Sequence, residues 1–124
     1  KLITHMLEGK NESEVGYPDA VRDFMYVSDA VNACVKLMES TSIDPGQVFN
    51  ISTSNPITVK ELAERVRANI ESKNEINWNS CLVTPRPGDP KWLVADNTKA
   101  KKFLNWEPKV CLEEGIQKTI AIYR

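Results

Sequence analysis

The sequence is short of the residues that most active sites need. It has one histidine, His5, so neither a histidine-based triad nor a histidine metal cluster can be built from it. His5 falls on the polar side of the first helical pattern and reads as a solvated surface residue. The three cysteines, Cys34, Cys81 and Cys111, are an odd number without metal-type spacing. They predict small buried hydrophobes in a reducing, cytoplasmic setting. The five glycines stand singly, so no glycine-rich strand-to-helix turn is available for close backbone approach to a pyrophosphate. A net charge of −1 supplies no basic field, which removes support for nucleic-acid or membrane-surface partners. No apolar run approaches the roughly 18 residues of a membrane span. Asn11-Glu12-Ser13 and Asn50-Ile51-Ser52 match the glycosylation triplet, but no signal segment accompanies them.

What is present is ordinary globular material. In 124 residues, 41% hydrophobic and 27% charged, there is enough for one domain, residues 1–124, with a modest core. The chain opens at Lys1 without methionine, inside an amphipathic pattern carrying Leu2, Ile3, Met6 and Leu7, and is expected to be a piece of something longer. Gly9 to Asp19 reads as loop. Phe24 to Val27 has strand composition, and Ser28 or Asp29 can cap a helix to about Ser40 with Ala30, Val31, Cys34, Val35 and Met38 inward. Asp44-Pro45-Gly46 is a turn and Val48 to Ile51 a short strand. Thr58-Val59-Lys60-Glu61 is a capping box opening a helix that buries Val59, Leu62, Ala63, Val66 and Ile70. Ile76 to Trp78 and Cys81 to Thr84 read as strands. Asp96 caps a short helix holding Ala100, Phe103 and Leu104. Leu112, Ile116 and Ile120 line a last helix, with Glu113 and Glu114 in its first turn favouring the dipole. Helices around short strands predict an α+β domain, not a complete doubly wound sheet.

Two segments carry the chemistry. Arg22-Asp23-Phe24-Met25-Tyr26-Val27 runs from a strand edge into a helix, and Arg86-Pro87-Gly88-Asp89-Pro90 is a fixed turn. Each sets a guanidinium beside a carboxylate. An exposed Arg–Asp pair is worth only about 0–1 kcal/mol as structure. Two rigidly mounted forks of donors, however, suit a diphosphate.

Those two segments stand in order with Val48-Phe49-Asn50-Ile51-Ser52, Ala95-Asp96-Asn97-Thr98-Lys99-Ala100 and Leu104-Asn105-Trp106-Glu107-Pro108. Taken together, and covering nearly the whole chain, they resemble the C-terminal substrate-binding part of the extended short-chain dehydrogenase/reductase family, in its branch of NAD-dependent nucleotide-sugar epimerases and dehydratases. The resemblance implies that Arg22 and Arg86 contact a nucleotide diphosphate and that Asp89 reaches the ribose hydroxyls. Tyr26, two residues from Phe24 on the same strand face, lines the pocket or packs in the core. Asp23 orients Arg22 or caps locally. Phe49, Trp106 and Pro108 are packing residues, and Asn50 is a hydrogen-bonder at the strand end. Lys91-Trp92-Leu93 reads as exposed loop. The loop Val15-Gly16-Tyr17-Pro18-Asp19-Ala20-Val21 departs from the family's glycine- and glutamine-bearing pattern, which leaves base and sugar open.

The same resemblance identifies what is missing. The family's Tyr-x-x-x-Lys has no match, since Tyr17 is followed four residues on by Val21, Tyr26 by Ala30, and Tyr123 ends the chain. The Rossmann domain is absent from this chain, so NAD or NADP would be bound by residues outside it, and the chain alone is not expected to be catalytic. Its implied partners are a nucleoside-diphosphate sugar and that Rossmann domain, and the resemblance allows a homodimeric parent enzyme. The alternative is a stand-alone, non-catalytic nucleotide-binding or interaction module. A reductase of substrates lacking a nucleotide would leave Arg22 and Arg86 without a diphosphate.

Overall fold

The computed structural model describes residues 1–78 and 87–124. The strand expected at Cys81 to Thr84, and Arg86, lie outside the described residues. The elements run α1 (Leu2–Leu7), β1 (Glu12–Glu14), β2 (Val21–Asp23), α2 (Val27–Glu39), β3 (Pro56–Thr58), α3 (Val59–Ile70), β4 (Glu75–Asn77), β5 (Trp92–Leu93), α4 (Thr98–Leu104) and α5 (Leu112–Tyr123). Mixed helices and small sheets agree with the α+β expectation.

Two apolar clusters organise them. In the first, α1, α3 and α5 bury Met6, Ala63, Val66, Ile116 and Ile120 together with Ile76 of β4. Most of the residues expected to face inward on these helices do so, because each helix carries its apolar side chains at a spacing of three and four. The second joins α2 to α4 through Ala33, Ala100, Leu104 and Trp106, with Phe49 and Ile51 packed against them. Trp106 is almost fully buried, and its indole N–H donates to the carbonyl of Asp29 at 3.1 Å.

Strands are few and short. β1 pairs in parallel with β4, setting Ser13 opposite Ile76. This strand lies inside the expected loop. Its exposed–buried–exposed pattern within Glu-Ser-Glu is too polar to announce a strand, and β4 alone makes it one. The second sheet has the order β3-β2-β5, with β3 antiparallel and β5 parallel to β2. β2 therefore starts three residues earlier than composition suggests and is central, not an edge; Val27 already belongs to α2. Val48 to Ile51 forms no strand, since no neighbouring strand lies alongside it among the described residues.

The largest correction concerns α2. Its N-cap is Tyr26, without a side-chain cap, so neither Ser28 nor Asp29 plays that part. Asp29 is buried, and its Oδ2 accepts from the backbone N–H groups of Lys109 (3.1 Å) and Val110 (3.0 Å). A buried carboxylate must be matched in this way, so it fixes the rotation of the helix. Asp29, Ala33 and Leu37 consequently face α4, whereas Val31, Cys34, Val35 and Met38, expected inward, face out. Cys34 and Cys111 are exposed thiols, not buried hydrophobes. Phe103 also lies outward, and Asn50 is exposed with no strand end to serve. At α4 the formal N-cap is Asn97, while Asp96 accepts from the Thr98 N–H (2.8 Å) and hydroxyl (2.6 Å), which lower its pKa. The last carbonyls of that helix are closed by Lys36, whose Nζ donates to Asn105 O at 2.6 Å. His5 is half-buried with its Nδ1 unpartnered among the described residues, and burial, then Lys10 and Lys1, lower its pKa.

The capping box of α3 forms as read. Thr58 Oγ1 accepts from the Glu61 N–H (3.0 Å) and the Thr58 N–H donates to Glu61 Oε2 (2.8 Å). Thr58→Ala is expected to cost about 1 kcal/mol in chemical denaturation at neutral pH. The bonds from the Thr58 backbone and hydroxyl hold the Glu61 carboxyl below its ordinary 4.5. A carboxylate depressed on folding stabilises above its unfolded pKa. The advantage of wild type over Glu61→Gln should therefore be complete above pH 4.5 and shrink as pH falls below it, read from denaturation midpoints across that range.

Candidate functional site

The site expected from sequence centres on β2. Directly opposite Arg22 stand Ile57 of β3 and Leu93 of β5, so these two side chains share its face of the sheet. The Arg22 guanidinium is half-buried and donates from Nη1 to its neighbour's carbonyl, Val21 O, at 2.7 Å. It makes no ion pair among the described residues, and Asp23 is not its partner. A cation held on the central strand with most of its donors uncommitted is placed to receive an acceptor-rich anion.

β5 brings the second segment to the first. The Val21 N–H donates to Lys91 O at 2.8 Å, and Trp92 pairs with Val21. The turn Pro87-Gly88, with Gly88 at φ +88°, leads through exposed Asp89 into this strand. Arg22 and the Asp89 segment thus meet at one sheet. Lys91-Trp92-Leu93 is exposed as expected, but it is the ladder that aligns them, not a free loop. A two-residue strand gives no periodic signal, which is why composition misses it.

Asp23 acts elsewhere. Its carboxylate accepts from the hydroxyls of Ser52 and Thr53 and from the Ser54 N–H (3.0 Å). Ser52 Oγ also meets Ala95 O at 2.7 Å, and the Asn97 side-chain amide donates to Ser52 O at 2.7 Å. Ser52 and Asn97 are buried. This cluster ties β2, residues 52–54 and residues 95–97 into one unit. Ser54 lies in the left-handed region at φ 58°, costly for a residue with a Cβ, and the Asp23 bond to its N–H offsets part of that cost. The consecutive hydroxyls Ser52-Thr53-Ser54 are the only hint of the cluster in the sequence, and they do not say which carboxylate answers them.

Tyr26 turns away from Arg22. It packs on α5, where a Cβ built on Gly115 would lie 3.4 Å from Tyr26 Cβ, and Lys118 Nζ lies 5.5 Å from its ring centroid. Lys118 is paired with Glu114 at 2.7 Å, which raises the lysine's pKa. Tyr26, Phe24, Leu62 and Leu112 line an apolar hollow of about 260 Å³. A larger cleft of about 490 Å³ beside β2 is lined by Phe24, Thr53, Asn55, Ile57, Arg65 and Lys109, with Arg65 paired to Glu113.

Among the described residues no backbone cradle fits a dinucleotide. Gly9, Gly46 and Gly88 take positive φ in three separate turns, and Gly16 and Gly115 do not adjoin them, so no backbone cradle forms. Among the described residues no cluster of His, Cys, Asp and Glu could hold a metal ion, and no helix is long and apolar enough to cross a membrane.

Asp23→Ala would leave the Thr53 hydroxyl without its acceptor, and would reduce Ser52 to its bond with Ala95 O and the Ser54 N–H to its bond with Ser52 Oγ. A loss of roughly 2–3 kcal/mol is expected in urea denaturation. A change below about 0.5 kcal/mol would show that the cluster carries no weight.

Comparison with known proteins identifies the family. The family profile of GDP-mannose 4,6 dehydratase matches residues 1–119. UDP-glucuronic acid decarboxylase 5 of Arabidopsis thaliana is 42% identical over 95 residues, 77% of this chain and 26% of the relative. The structure of UDP-glucose 4-epimerase with UDP-glucose from Thermotoga maritima matches at a TM-score of 0.83 and 34% identity, over 99% of this chain and 38% of that one. The UDP-glucuronic acid 4-epimerase of Bacillus cereus, in complex with UDP-glucuronic acid and NAD, matches at 0.86 and 25% identity, over 98% and 38%. The chain therefore spans between about a quarter and two-fifths of the length of these relatives. It belongs to the extended short-chain dehydrogenase/reductase family, in the branch of nucleotide-sugar epimerases and dehydratases.

Proposed function

We propose that residues 1–124 are the substrate-binding domain of an NAD(P)-dependent nucleotide-sugar epimerase or dehydratase, and that they hold the nucleotide end of the substrate. The observation that carries this reading is Arg22: half-buried on a central strand, without a carboxylate partner among the described residues, beside the segment that bears Asp89. Arg22 and Arg86 receive the diphosphate, for which planar forks of charged donors are the natural match. Asp89, an exposed carboxylate on a fixed turn, accepts hydrogen bonds from the ribose diol. Tyr26, packed on α5 beside an apolar hollow, takes the packing role of its two expected parts. UDP-glucose and UDP-glucuronic acid, held by two of the matching enzymes, have the required chemistry.

The contribution to catalysis is positional. Fixing the diphosphate fixes the sugar against a nicotinamide bound by residues outside this chain, in a Rossmann domain. Epimerisation, dehydration and decarboxylation all begin from that placement, so this domain serves any of them.

Arg22→Ala removes charge-assisted bonds worth about 1.5–3 kcal/mol, so UDP should bind roughly 10- to 100-fold more weakly. Arg86→Ala should behave alike. Titration calorimetry of UDP, dTDP and GDP with the full-length protein is the measurement, and unchanged affinities would overturn the assignment.

A further inference from the structure

The two limbs of the proposed site are joined by very little backbone. β2, which carries Arg22, and β5, which follows Asp89, pair at two positions, Val21 with Trp92 and Arg22 with Leu93. One residue further along β2, the Asp23 carboxylate accepts from the Ser52 hydroxyl. The same Oγ lies 2.7 Å from Ala95 O, two residues beyond Leu93. The Ser52 side chain therefore stands where the next rung of the ladder would be. Its own place is fixed twice, because Asn97 Nδ2 donates to Ser52 O at 2.7 Å and the Ser54 N–H donates to Ser52 Oγ at 3.0 Å. Ser52 and Asn97 are only 3% and 4% exposed, so this bridge is dry. Thr53 provides a contrast. Among the described residues its hydroxyl meets the same carboxylate and the Asn55 N–H (3.1 Å), but nothing in residues 95–97.

We propose that Ser52 is a positioning residue for nucleotide binding: by bridging Asp23 to Ala95 it sets the separation between Arg22 and the Asp89 segment. Covalent bonds fix the distance from the diphosphate to the ribose hydroxyls of a nucleotide. The groups that receive the two ends must be held at a matching distance, since hydrogen bonds weaken steeply once bent or stretched. Two ladder pairs between short strands supply little stiffness of their own. A buried hydroxyl with partners on both limbs supplies the rest. Ser52 does this without touching the ligand, because its side chain is enclosed and acts through the strand that carries Arg22. Thr53 braces the Asp23 carboxylate but leaves the second limb alone, so the two adjacent hydroxyls have different parts. The proposal rests on the reading of Arg22 and Asp89 as nucleotide-binding residues.

The test is titration calorimetry on the full-length protein with whichever of UDP, dTDP and GDP binds the wild type, and with the matching nucleoside. Ser52→Ala should weaken the diphosphate about 5- to 10-fold. The nucleoside engages one limb only, and its affinity should stay within about twofold. Combined with Arg22→Ala, Ser52→Ala should add nothing further, because the two act on one contact. Thr53→Val should lower the Tm yet keep the nucleotide affinity within about twofold. Should Ser52→Ala fail to fold, Ser52→Cys, close in size but a weaker donor, carries the same comparison with a smaller loss. Equal losses for nucleotide and nucleoside, additive losses with Arg22→Ala, or a Thr53→Val effect as large as that of Ser52→Ala would each overturn the proposal. Loss with Arg22→Ala but none with Ser52→Ala overturns the positioning role alone. An unchanged affinity in Arg22→Ala overturns the nucleotide reading, and this proposal with it.

Discussion

A strand of three residues cannot hold itself in place, because its few ladder bonds scarcely offset the ordering of its backbone. β2 is such a strand, and it carries Arg22. What fixes it is the carboxylate of Asp23, gripped by two hydroxyls and a backbone N–H from residues 52–54. Through Ser52 the same grip reaches Ala95 and Asn97, just beyond β5. The adjacent Arg–Asp dipeptide thus divides its labour. The acid faces inward and anchors the strand, and the base is left free to meet a ligand. Had the two paired with each other, neither function would be served.

A second carboxylate does for the helical layer what Asp23 does for the sheet. Asp29 receives the amides of Lys109 and Val110, and its carbonyl receives the Trp106 indole. A buried carboxylate can accept several hydrogen bonds and tolerates few alternatives, so it locks helix rotation more firmly than apolar packing would. The consequence appears on the opposite side of α2, where an apolar stripe is turned to solvent.

The sequence was legible where local rules act alone. The capping box at Thr58 and Glu61 needs four residues and no neighbours, and it forms as read. The apolar stripes of α1, α3 and α5 meet in one cluster for the same reason. The reading failed where a distant partner decides. β1 and β5 are strands only because β4 and β2 lie beside them. Val48 to Ile51 has strand composition but no neighbour among the described residues, and it is no strand. On α2 the residues expected inward gave way to Asp29, because matching a buried charge outweighs burying a few methyl groups. For the site, the order of Arg22, Asp89 and Tyr26 along the chain could not show that β5 would deliver the Asp89 segment to Arg22 while Tyr26 turned to α5.

The exposed side of α2 and the uncommitted donors of Arg22 are two expressions of one condition. A domain that satisfied all its apolar and polar groups internally would have nothing left with which to bind. Here the interior is settled by Asp23, Asp29 and two compact apolar clusters, and the unsettled groups fall in separate places. Exposed apolar side chains gather on one face of α2 and at Val48. Charged donors and an exposed carboxylate gather at β2 and the turn before β5, where a wet, anionic ligand can reach them. The segregation matters because the two surfaces demand opposite environments. An apolar face favours hydrocarbon, whereas a diphosphate arrives hydrated and favours fixed donors. One domain can meet both demands only by keeping them on different elements, and the placement of two aspartates in this chain achieves that separation.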